Sequence, residues 1–172
     1  MFTLKSDHGF SFIEIIVVLA IISVCVGITA ASISNVSASQ ASKCAQEMNS
    51  ILSKCRIRAM SRAASVSIKF YRNKDGDVIA DYIENGITVS EDKMGNARAH
   101  VVYVTDTQHE LNTSGATPLY LTFRRETGAL KTLESNGITE ATQQCTAIII
   151  SGGGQTYTIH LVPTTGMHTL EG

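Results

Sequence analysis

The sequence predicts an α+β protein: one long N-terminal helix packed on a C-terminal antiparallel β-sandwich. Three observations carry that expectation. An apolar run extends from Phe10 to Ala31. Helical spacing then continues without proline to about Ala64, and beyond it the chain breaks into short alternating segments divided by Gly, Asn and Thr. The chain has 172 residues, so once the helix is set aside there is room for one domain of about 100 residues with a modest core.

The first nine residues, Met1–Gly9, form a short polar head ending in glycine. The 22 residues from Phe10 to Ala31 would make a helix about 33 Å long, a match to a bilayer's hydrocarbon core. Glu14 is the single carboxylate in that run. A charge at mid-membrane costs about 2.5–3.5 kcal/mol, less near an end, and by default it marks function. Three readings compete: a plain membrane anchor, a conventional secretory signal cut near Val36-Ser37-Ala38, and a specialised signal that uses both Gly9 and Glu14. The anchor gives neither residue a purpose, and an ordinary signal rarely carries a carboxylate in its apolar region.

From 32 to 64 the helix becomes amphipathic. Ile33, Val36, Ala41, Cys44, Met48, Ile51, Leu52, Cys55 and Ala59 recur at three- and four-residue steps as one apolar stripe. The serine-rich stretch 32–42 is a weak helix former and reads as a softer middle. The whole rod, 10–64, would span about 80 Å. Lys54, Arg58 and Arg62 form a basic row, read as a solvated face or as a contact for an acidic neighbour. Cys44 and Cys55 share a face but stand about 16 Å apart, too far to bridge. A bond from either to Cys145, or free core thiols, remain, with free thiols preferred.

The head, 65–172, reads as all-β. Ser65–Arg72 alternates, Asn73-Lys74-Asp75-Gly76 is turn chemistry, and Asp77–Ile83 returns as a hairpin. Further strands are expected at Ala99–Thr105, Leu119–Arg125, Ala129–Leu133, Cys145–Ser151 and Thr156–Val162. The segment Glu84–Arg98 reads as loop with one short strand.

The opening Gly9-Phe10-Ser11-Phe12-Ile13-Glu14 resembles the class III signal of type IV pilins and pseudopilins. Ser11 and Phe12 stand where Thr and Leu are commoner, and His8 where a basic residue is usual. The resemblance implies that a prepilin peptidase cuts between Gly9 and Phe10 and methylates the new N-terminus at Phe10. It also implies that Glu14 is the assembly residue, neutralised by the terminal amine of a neighbouring subunit. Arg56-x-Arg58-Ala59-x-x-Arg62, then Leu121-Thr122-Phe123-Arg124-Arg125-Glu126-Thr127-Gly128, then Pro163-Thr164-Thr165-Gly166, look like the GspH/FimT group of minor pseudopilins. The implied protein is a minor structural subunit of a type II secretion, pilus or competence filament. It would be a single-pass inner-membrane precursor with its head outside the cytoplasm, later part of a periplasmic or extracellular filament. Its partners would be other pilins, through the helix, and the peptidase.

Other chemistry finds little support. Asn73, Asp75, Asp77, Asp81 and Glu84 fit places in a calcium-loop template, but Val78 occupies the glycine position. Gly152-Gly153-Gly154 lacks the Lys-Ser/Thr of a phosphate loop and reads as a flexible hairpin tip. The five histidines (8, 100, 109, 160, 168) have no metal-ligand spacing, and no nucleophile–base signature points to an enzyme. The expectation is no cofactor and no metal. The rival function, DNA binding by a minor pilin in transformation, meets an acidic head: from Ser65 onward eight Lys/Arg face twelve Asp/Glu. Residues 166–172 contain no Lys or Arg, leaving only Arg124 and Arg125 for that role, so nucleic acid is not an expected partner.

Overall fold

The computed structural model describes residues 11–61, 65–112 and 117–172, with the side chains of 27–33 outside that description. Helix α1 runs unbroken over Phe12–Ser61, and 62–64, the expected end of the rod, lie outside the described residues. Ten strands follow: β1 Val66–Arg72, β2 Val78–Glu84, β3 Ile87–Gly95, β4 His100–Val104, β5 Gln108–Glu110, β6 Leu119–Phe123, β7 Leu130–Leu133, β8 Ala147–Gly152, β9 Gln155–Val162 and β10 Met167–Glu171. They form two five-stranded antiparallel sheets, ordered β3-β2-β1-β6-β7 and β10-β9-β8-β4-β5. The helix packs on strands of both sheets, so one core joins all three layers.

The alternation read from the sequence sets the inner face. Val66, Ile68, Phe70 and Arg72 point inward from β1, and Leu119, Leu121 and Phe123 do so from β6. Against them lie Ala41, Cys44, Ala45, Met48, Ile51, Leu52, Cys55 and Ala59. Each large aliphatic side chain removed from water here contributes about 1.5–3 kcal/mol. Among the described side chains the buried stripe begins at Ala41; Val36, expected within it, is exposed, and Ile33 lies outside the described side chains. The head simply ends before reaching that turn of the helix on Val36's side.

Arg72 is the inward charge of β1. Its guanidinium Nε donates to the Leu111 carbonyl at 2.8 Å and Nη1 to Gly76 at 2.6 Å, and Nη2 donates to Ala99. Three carbonyls from three loops thus converge on one side chain, satisfying it without a carboxylate. Burial still pulls its pKa down.

Two expectations change. Glu84–Arg98 is not mainly loop: β3 spans nine residues and pairs with β2 across Asn85-Gly86. Both turn residues have positive φ, 53° and 80°, the geometry a two-residue hairpin needs. The strands β5 and β10 were not expected at all. None of the four cysteines is in a disulfide; Cys44, Cys55 and Cys145 are buried, and no bridge to Cys145 forms. Burial pushes each of these three thiols up to about 12.

Candidate functional site

Only one part of the described chain presents a large apolar surface to its surroundings, and it is the first third of α1. Ser11 starts the helix, its carbonyl accepting from the backbone of Glu14 at 3.0 Å and of Ile15 at 3.3 Å. Every residue from 11 to 26 is exposed, from 45% at Ile16 to 80% at Phe12 among the large aliphatic and aromatic side chains. An apolar helix that no described part of its own chain covers is suited to be covered by something else.

Glu14 is in the first turn, where the helix dipole favours a carboxylate. It is exposed and makes no ion pair with a described residue. Gly9 and Phe10, the residues expected to flank the cut, lie outside the described residues. Among the described residues no helix is long and apolar enough to cross a membrane; the expected span, 10–31, includes positions 10 and 27–31, whose side chains are outside that description.

Where the bare segment ends, the β8–β9 hairpin meets the helix. The Ser34 hydroxyl donates to the Gly153 carbonyl at 3.1 Å. A Cβ on Gly152 would stand 2.7 Å from the Ser37 carbonyl oxygen, and one on Gly153, at φ +58°, would collide with the Ser34 carbonyl oxygen. The hairpin tip read as flexible is therefore pressed on the helix at Gly152 and Gly153. The serine-rich stretch read as a softer middle is unbroken helix, and the hairpin backbone lies against its Ser34, Ser37 and Ala38. A triple glycine and a run of Ser and Ala were both visible in sequence, but nothing there paired them.

The two phrases Glu126-Thr127-Gly128 and Pro163-Thr164-Thr165-Gly166 also meet. The Leu130 amide donates to the Pro163 carbonyl at 2.9 Å. A Cβ on Gly166 would run into the Gly128 carbonyl oxygen, and one on Gly128 would sit 2.8 Å from Met60 Sδ. Arg56 Nη2 donates to the Thr165 carbonyl at 3.0 Å, pinning this corner to the helix. Arg124 and Arg125 are exposed beside it.

The calcium-template residues have other partners. Asn73 Oδ1 accepts from the amides of Asp75 and Asp77, Asp77 pairs with Lys93 at 2.6 Å, and Asp81 with Lys69 at 4.0 Å. Among the described residues no His, Cys, Asp and Glu side chains gather into a metal-holding group. His100 lies 2.8 Å from Glu110, and His160 3.2 Å from Glu171. His168 bonds Ser53 at 2.8 Å, and His109 stacks on Tyr103.

A bare apolar stem with one carboxylate thus leads into a packed head of two sheets, and the start of the chain carries a recognisable signal. Residues 4–30 match the family described as the prokaryotic N-terminal methylation motif, so the chain carries a class III prepilin signal and is a type IV pilin-like precursor of the kind a prepilin peptidase processes. No curated protein matches the chain, and neither does any solved structure.

Proposed function

We propose that this chain is a minor pilin or pseudopilin, a structural subunit of a type II secretion, type IV pilus or competence filament rather than an enzyme. The single observation that supports this most is the bare apolar helix at 12–26 carrying one carboxylate inside a methylation motif. The precursor sits in the inner membrane as a single-pass protein with its head outside the cytoplasm. Cleavage between Gly9 and Phe10, and methylation of Phe10, create a cationic N-terminus about 6 Å along the helix axis from Glu14. A carboxylate in an apolar assembly is unfavourable by several kcal/mol until an opposite charge reaches it. The Phe10 amine of an adjacent subunit supplies that charge, so the pair selects axial register while the apolar stems bury one another.

The test separates trimming from assembly. Glu14→Ala is expected to leave the mature mass unchanged and to remove the protein from sheared filaments; wild-type incorporation would end the pairing model. Gly9→Ala is expected to leave the precursor uncut, and mass spectrometry finding a chain that begins at Phe10 would refute the cleavage site.

A further inference from the structure

A second surface of the head is open and chemically unfinished. Between the helix wall of Glu47, Lys54 and Arg58 and the edge strand β3 runs a cleft of about 570 Å³, floored by Cys55 and Tyr82. Tyr82 is 5% exposed, yet its hydroxyl has no hydrogen-bond partner. Arg58 stands 5.1 Å above the Tyr82 ring, and the nearby hydroxyl favours the charged guanidinium, but no bond of ordinary geometry joins them. Across the cleft Glu47 Oε2 is likewise buried without a partner, its other oxygen pairing with Lys43 at 3.7 Å. Floor and helix wall together therefore offer an unused donor and an unused acceptor, the combination that a peptide backbone completes with its C=O and N–H.

The opposite wall says what form that peptide takes. The strand β3 ends its sheet, so one edge of it is unpaired among the described strands. Its Glu91-Asp92-Lys93 half carries the charges that usually keep edges single, but Ile87-Thr88-Val89-Ser90 carries none, and Ile87 and Val89 are 70% and 58% exposed. Charge selects further. Lys93 is neutralised by Asp77, while Asp92, which accepts from the Ser90 hydroxyl, keeps its charge at the β3 side of the cleft. Lys54 and Arg58 form no ion pair with a described residue and point a double positive charge at the cleft from the helix side.

We propose that this cleft receives an extended, acid-bearing segment of a neighbouring subunit, which adds to the edge of β3 and turns its carboxylate toward Lys54 and Arg58. The proposal rests on the reading of the chain as a filament subunit, and it supplies a head-to-head contact separate from the stems. The mode is strand addition: main-chain bonds give the affinity, and the two cations give the choice of partner.

The test uses the full chain in cells, with a photo-crosslinking amino acid at Val89, at Ser50 or, as a control, at Ile13. The expected result is adducts from Val89 and Ser50 that map to an extended segment containing Asp or Glu in another pilin-like subunit. The double variant Lys54→Glu/Arg58→Glu should reduce them about ten-fold while processing stays unchanged and the head still unfolds cooperatively. Adducts to lipid, to the same chain, or to a segment without carboxylates would overturn the proposal, as would adducts indifferent to the double variant. Absence of any subunit adduct from Ile13 would defeat the filament reading itself; Ile13 adducts without Val89 adducts would defeat the cleft alone.

Discussion

Residues 12–26 and 41–59 are parts of one continuous helix, yet they meet opposite fates. The first carries Ile, Val and Leu on every side and buries none of them, whereas the second buries a stripe made largely of Ala, Cys and single large residues. The more apolar half is the exposed one. Hydrophobicity thus decides what a segment needs, and a partner decides whether it gets it: 41–59 finds two sheets in its own chain, and 12–26 must look outside.

The sharpest way to break that comparison is a matched truncation in each half. Leu52→Ala should cost the head about 2–5 kcal/mol in denaturant unfolding of the detergent-solubilised chain. Leu19→Ala should change the same midpoint by no more than about 0.5 kcal/mol; equal effects would mean that the two halves are not distinct. Next in size is Arg72→Met, which strands three loop carbonyls inside the core and is expected to cost about 3 kcal/mol. Gly153→Ala, with its positive φ and its collision with Ser34, should cost about 1–3 kcal/mol. It should also lengthen a spin-label distance between the hairpin tip and the helix near Asn35, and an unchanged distance would deny the hairpin its grip.

The smallest effect at neutral pH belongs to the thiols. Cys44, Cys55 and Cys145 hold their protons up to about 12 when folded, against an ordinary value of 9.0. Between those values the folded chain binds more protons than the unfolded one, so stability falls as pH rises through that window. Denaturant midpoints should be flat from pH 7 to about 8.5 and decline above it, and alkylation should modify exposed Cys25 well before the other three. A flat profile to pH 11 would place the thiols in contact with solvent.

Much of the molecule was legible from its residues. The described helix follows its apolar run and stripe, and the β1–β2 hairpin and the strands β4, β6, β7, β8 and β9 follow alternation that tertiary contacts reinforce, the strand bounds shifted by one or two residues. What was missed shares a cause. β3 reads polar through Glu91-Asp92-Lys93 because an edge strand has little to bury, and its one turn signal, Asn85-Gly86, went unread. In β10, Met167-His168-Thr169-Leu170-Glu171, no side chain is fully buried, so pairing with β9 makes the strand, and no one-residue pattern records that. The candidate site divides the same way. Glu14 was evident because a charge among aliphatics is conspicuous, whereas the cleft at Tyr82 depends on which strand ends the sheet.

The hairpin at Gly152-Gly153 has one more consequence, concerning direction. By gripping the rod near Ser34 it fixes the head's standoff and its compass bearing relative to Glu14. Adding or deleting a single residue between Val26 and Ser34 would shift the standoff by only about 1.5 Å but swing the bearing by about 100°. A stem that tolerates almost any aliphatic substitution would therefore be intolerant of a change in length.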